Sequence, residues 1–231
     1  MARKHYHLLC ALPGLRGFNS PPPLGKSEFL AVVRDCLGPE AAIQIILLGD
    51  DLLQREAVLS NEIDAKQADL AVLSASQAMD SQPLPEFLMP TGPEDEEMSR
   101  HPLAADVIWR RYFFYAAGMA QGLRSRFLAC WVAYEVGLRN AMAKIRAQTL
   151  KLDVRPYLVA EELGRPASTF DRELEEWKRS PHPLAGLEAL EKIRWQWLTE
   201  QEPWFDFCDD EVVAYGAKLM VLIRWHRMFP K

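Results

Sequence analysis

From Asp106 to Leu150 the chain carries no proline and is dominated by helix-forming residues. Unbroken, such a helix would extend for more than about 60 Å. Gly118 and Gly122 are the expected points of bending or division, because glycine weakens a helix interior by about 1 kcal/mol relative to alanine. The second half places Phe127, Trp131, Tyr134, Leu138, Ala141 and Ile145 at alternating separations of four and three. That is the spacing of a packed helical seam, and it reads as core. The expected fold is therefore mainly α: a multi-helix bundle around a long central helical segment, in one domain spanning 1–231.

The rest of the chain supplies shorter helices and irregular loops. The apolar stretch Tyr6 to Leu15 ends at Pro13-Gly14, and its length leaves helix or short strand open. A Pro-rich loop follows over 17–25, where Pro21-Pro22-Pro23 excludes a helix interior. Ser27 reads as an N-cap for Phe29, Leu30, Val33 and Leu37, and Gly38-Pro39 as the stop. A second short helix is expected from Pro39 to Leu48, broken by Gly49-Asp50-Asp51, with a weaker, mostly polar helical pattern over 52–79. An irregular acidic loop is expected over 81–102; its cluster Glu94-Asp95-Glu96-Glu97 reads as a solvated loop or as a docking strip for a basic partner. Ser168 or Thr169 would cap a helix from Phe170 to Lys178. Leu187, Leu190, Ile193, Trp197 and Leu198 trace a further helix, and Asp209 or Asp210 would cap the last one.

Charge and motifs narrow the function. A net charge of −5 argues against a general nucleic-acid binder, which needs a basic surface to displace counterions. Four cysteines without metal-knuckle spacing read as reduced thiols of a cytoplasmic protein. The basic, apolar N-terminus is too short for a signal peptide, and no run is long enough to span a membrane. His5 and His7 have no accompanying ligand set, so no metal site is expected. Gly25-Lys26-Ser27 lacks the upstream glycine of a phosphate loop, and the prolines before it have no N–H to offer a phosphate. No nucleophile motif stands out. Asp50-Asp51 and Asp209-Asp210 are too common a pattern to argue an acid–base pair. The expectation is no enzyme, no catalytic residues, no cofactor and no metal.

One polar group does stand out. Glu135 precedes Arg139 by four residues, a spacing that supports a helix by roughly 0.2–0.5 kcal/mol, and Arg146 lies near the same face. These three residues read either as an ordinary surface pair with a neighbour or as a polar network fixing helix register or a partner contact. Among the tryptophans Trp195, Trp197, Trp204 and Trp225, core packing is the default, and one exposed at a contact surface would be informative.

Several stretches together resemble a bacterial family of unknown function encoded in V-type (A/V-type) ATPase operons. The opening Tyr6-His7-Leu8-Leu9-Cys10-Ala11-Leu12-Pro13-Gly14-Leu15 is similar to the family's start, and Ser27-Glu28-Phe29 to its first helix. Tyr134-Glu135-Val136-Gly137-Leu138-Arg139-Asn140 with Arg146-Ala147 resembles its central helix. Ile193-Arg194-Trp195, Phe205-Asp206-Phe207, Tyr215-Gly216-Ala217-Lys218-Leu219 and Arg224-Trp225 resemble its C-terminal part, and family members are expected to continue somewhat past Lys231. The resemblance implies a central-stalk part of a V/A-type ATPase, similar to the helical socket protein of the C (or d) type. Its partners would be the V/A-type ATPase stalk subunits and the cytoplasmic face of the membrane ring. It would be peripheral to the inner face of the cell membrane, not embedded. An assembly factor or regulator of the same ATPase is the alternative, and an enzyme with an unrecognised helical active site is the reading from another class. The connector reading treats 106–150 as a stiff internal strut; an open, ligand-filled pocket along it with converging ionisable groups would contradict a passive part.

Overall fold

The computed structural model describes residues 4–34, 36–89 and 103–228. Among them the regular structure is nine α-helices and five 3-10 turns, with no strand. The helices are α1 (Tyr6–Ala11), α2 (Lys26–Val33), α3 (Leu37–Leu59), α4 (Ala75–Ala78), α5 (Ala104–Leu123), α6 (Arg126–Leu150), α7 (Leu174–Lys178), α8 (Pro183–Gln201) and α9 (Asp209–Met228). The mainly α, multi-helix bundle is what the apolar periodicity leads one to expect. The N-terminal segment resolves as helix, not strand; Leu8, Leu9 and Leu12 recur at helical spacing and pack on the core.

The segment 106–150 is not one rod. It turns back at Arg124, which adopts a left-handed conformation with φ 54°, and restarts behind the N-cap Ser125. Gly118 and Gly122, the expected weak points, stay helical, with open space where a Cβ would lie. The break falls where a cap is available rather than where the helix is weakest. Ser125 Oγ accepts the Leu128 N–H at 3.1 Å and donates to Asp210 at 2.6 Å; the other Asp210 oxygen accepts the Phe127 N–H at 3.0 Å. Asp210, expected to cap its own helix, therefore caps α6 from α9.

α5 and α6 pack as a hairpin, α5 also rests on α3, and α9 packs against α3, α6 and α8. Every residue of α9 from Val212 to Leu222 is buried, which makes it the innermost helix. Phe127, Trp131, Tyr134, Leu138 and Ala141 of the seam are buried, and Ile145 packs at its margin. The Pro-rich loop is pinned by Phe18, whose ring meets Trp195 and Trp225 at 6.5 and 5.1 Å.

Several expectations change. Ser27 does not cap the first helix: α2 starts at Lys26 behind Gly25, and Gly38-Pro39, the expected stop, lies inside the next helix. Gly49-Asp50-Asp51 does not break α3, which runs through it to Leu59. Residues 60–79 are mostly irregular, with a 3-10 turn at Ala65–Gln67 and α4. The helix at 170–178 starts only at Leu174, after a 3-10 turn at Ala167–Phe170. Residues 81–89 are irregular apart from a turn at Glu86–Leu88. The acidic cluster Glu94–Glu97 lies outside the described residues.

Candidate functional site

The centre of the bundle is ionic. Asp50, in the interior of α3 and 1% exposed, accepts from Lys26 of α2 at 2.6 Å and from Gln54 at 3.0 Å. Arg224 and Arg227 of α9 approach it at 3.9 and 3.8 Å. Burial pushes the Asp50 carboxyl up, but Lys26, Arg224 and Arg227 together override it and hold it below the ordinary range. The neighbouring Asp51 turns to the loop instead, accepting backbone N–H groups from Ala71 at 3.0 Å, Val72 at 2.6 Å and Leu73 at 2.9 Å. Burial nevertheless raises its carboxyl, against those bonds and Lys26. Both acidic residues thus sit inside a helix because each has dedicated donors, which is what a buried charge requires. Lys26, the centre of the incomplete phosphate-loop pattern, is one of those donors.

The network continues across the bundle. Arg224 donates to Glu191 of α8 at 2.6 Å, Glu191 accepts from Arg194 at 3.0 Å, and Arg194 reaches Glu135 of α6 at 2.9 Å. Burial lowers the Arg194 pKa, but Glu135 and Glu191 outweigh it and the net direction is upward. Chain distance hides this lattice: Lys26, Asp50, Glu135, Glu191, Arg194 and Arg224 have no common spacing. The sequence signal that does exist is a charged residue on the apolar stripe of a helix.

The three polar residues singled out from the sequence do not act as one pair. Glu135 is held by Arg194, whereas Arg139 bonds to Asp106 of α5 at 2.8 Å and covers the Trp109 ring at 4.8 Å. Arg146 is exposed and lies over the Trp177 ring at 5.6 Å. All three nevertheless line one cavity of about 500 Å³ between α3, the α5–α6 hairpin, α8 and α9. Asp50, Arg194 and Arg224 border it as well, with Trp109, Tyr112, Phe113, Trp131 and Met220 among the apolar walls. Such an arrangement departs from a solid, passive strut. Tyr112 closes one side, donating to Ile45 O at 3.0 Å. Gly49 permits that approach, since a Cβ there would lie 2.5 Å from the Tyr112 hydroxyl.

A second feature lies at the surface between α8 and α9. Trp204 and Phe205 are 63% and 77% exposed. Phe205 and Phe207 both have positive φ, 59° and 51°, a conformation that costs a non-glycine residue roughly 1–2 kcal/mol. Glu211 fixes it by accepting the Phe205 and Phe207 N–H groups at 3.3 and 2.6 Å. The His5 N–H donates to Phe207 O at 2.7 Å and Lys4 Nζ to Asp206 O at 2.6 Å, while the Tyr6 ring lies 4.5 Å from Phe207.

Among the described residues no group of three or more His, Cys, Asp or Glu is arranged to hold a metal ion. His5 instead bonds Asp209 at 2.6 Å, and His182 accepts the Ala185 N–H as the cap of α8. No described helix is long and apolar enough to cross a membrane. Comparison with protein-family profiles, curated proteins and solved structures finds no match to this chain.

Proposed function

We propose that this chain is a non-catalytic connector of a V/A-type ATPase, a socket-like part of the C (or d) type between the central stalk and the membrane ring, peripheral to the membrane and facing the cytoplasm. The observation that carries the reading is the exposed aromatic tip. Trp204 and Phe205 project on a backbone held in an unfavourable conformation by Glu211, Lys4 and His5. Strain maintained at the surface to present two large apolar side chains fits a contact site, where tryptophan is among the residues that contribute most. The tip contains Phe205-Asp206-Phe207, one of the stretches on which the family resemblance rests. The ionic lattice supports the same reading by tying α2, α3, α6, α8 and α9 into one body able to bear load.

Purification of the ATPase from the native host through a tagged stalk protein tests this. The expected result is the chain in stoichiometric amount. A finished ATPase without it overturns the connector reading, and transient association during biogenesis alone would make it an assembly factor.

A further inference from the structure

The cavity between α3, α5, α6, α8 and α9 goes beyond a connecting role. Its inner end is built from groups that are buried and incompletely used. Asp50 Oδ1 and Arg224 Nε have no hydrogen-bond partner among the described residues, although the two side chains are only 1% and 8% exposed. Both residues border the cavity. A carboxylate held ionised by three cations is an acceptor only, so Oδ1 asks for a donor; Arg224 Nε asks for an acceptor. Leaving such atoms unsatisfied costs about 1–3 kcal/mol each. Trp109, Tyr112, Phe113 and Trp131 supply aromatic walls. The outer end of the cavity carries Arg139, half committed to Asp106, and Arg146, which has no carboxylate within ion-pair distance among the described residues. A volume of about 500 Å³ lies within the usual range for a small-ligand site, roughly 300–1,000 Å³.

We propose that this cavity binds a small organic anion with a flat apolar body: its acidic group meets Arg146 and Arg139 at the mouth, and inside an N–H or O–H group donates to Asp50 Oδ1, an O–H also accepting from Arg224 Nε. Inside, binding displaces no bonded partner, because Asp50 Oδ1 and Arg224 Nε are left over.

The probe is anilinonaphthalene sulfonate, which combines an anionic group, an aromatic body and an N–H. Added to the full chain, it should bind saturably with one site and blue-shifted emission. Arg146→Glu, an exposed change, should weaken binding at least about tenfold, corresponding to 1.4 kcal/mol. Ala143→Trp, which fills the cavity from α6, should abolish it. A Trp204→Ser/Phe205→Ser chain should bind as the parent does. Indole-3-acetate should compete better than decanoate, which has no donor for Asp50. Absence of saturable binding overturns the proposal. So does binding that survives Arg146→Glu, or that vanishes with the aromatic tip. Decanoate competing as well as indole-3-acetate overturns the inner hydrogen-bonding arrangement. Saturable binding would count against a purely passive connector, whereas membership of an ATPase is read separately, by co-purification, so the two proposals fail independently.

Discussion

Single residues set the stability of the bundle centre. Replacing Asp50 by Asn removes the carboxylate that Lys26, Arg224 and Arg227 share, leaving Lys26 only Asp51 and Asp69 at 3.8 Å and Arg224 its bond to Glu191. Loss of one partner from a buried pair costs about 3–5 kcal/mol, a large part of the roughly 5–15 kcal/mol that holds a typical domain. Urea unfolding at neutral pH should show that loss. The folded Asp50 carboxyl is held below its ordinary value of 3.8, so its contribution is fully present above that value. It disappears as pH falls through the lower, folded value. The gap between parent and Asp50→Asn should therefore close below about pH 4 and remain constant above it. Asp51, whose carboxyl is raised, acts in the opposite sense: its burial cost is relieved on acidification. Gly49 offers a second test. Gly49→Ala forces a Cβ against the Tyr112 hydroxyl, an overpacking that costs about 1–3 kcal/mol. In a Tyr112→Phe background the penalty should shrink, and a double-mutant cycle in denaturant measures the coupling.

At the scale of elements, the turn between α5 and α6 depends on a carboxylate donated by α9. Ser125→Ala and Asp210→Asn should each cost about 0.5–2 kcal/mol, in the range of lost N-caps. Together they should cost less than their sum, because both act on the same first turn of α6. Thermal or urea unfolding of the two single variants and the double variant gives the comparison. This turn also shows how far local reading reaches. Ser125 is a residue type suited to capping, yet glycine propensity points to 118 and 122. What decides is Asp210, more than eighty residues away in sequence. The same holds for Gly49-Asp50-Asp51, a breaker by composition and a helix interior by virtue of Lys26, Arg224 and the loop 71–73. Amphipathic stripes such as Phe127 to Ile145 are legible because periodicity is local. The network around Glu135 is not, since its partner Arg194 sits on another helix, although Glu135, Arg139 and Arg146 do border one cavity.

For the whole molecule, the contact proposed at the aromatic tip is separable from the stability that the ionic centre gives. Trp204→Ser with Phe205→Ser removes side chains that are mostly exposed, so the midpoint of thermal unfolding should stay nearly unchanged. On the proposed connector reading, co-purification with the ATPase stalk should be lost. Retained association would place the contact elsewhere, and a marked drop in the midpoint would mean that the tip serves the fold.

The position of the counter-charges has a kinetic side. As the chain leaves the ribosome, α3 emerges long before α9, which carries Arg224, Arg227 and the Asp210 cap. Until those residues arrive, Asp50 lacks two of its three cations, and the α5–α6 turn lacks one of its two locks. The middle of the bundle therefore closes only after α9 has emerged, well after α3, so the native interior forms late in the order in which these helices are made.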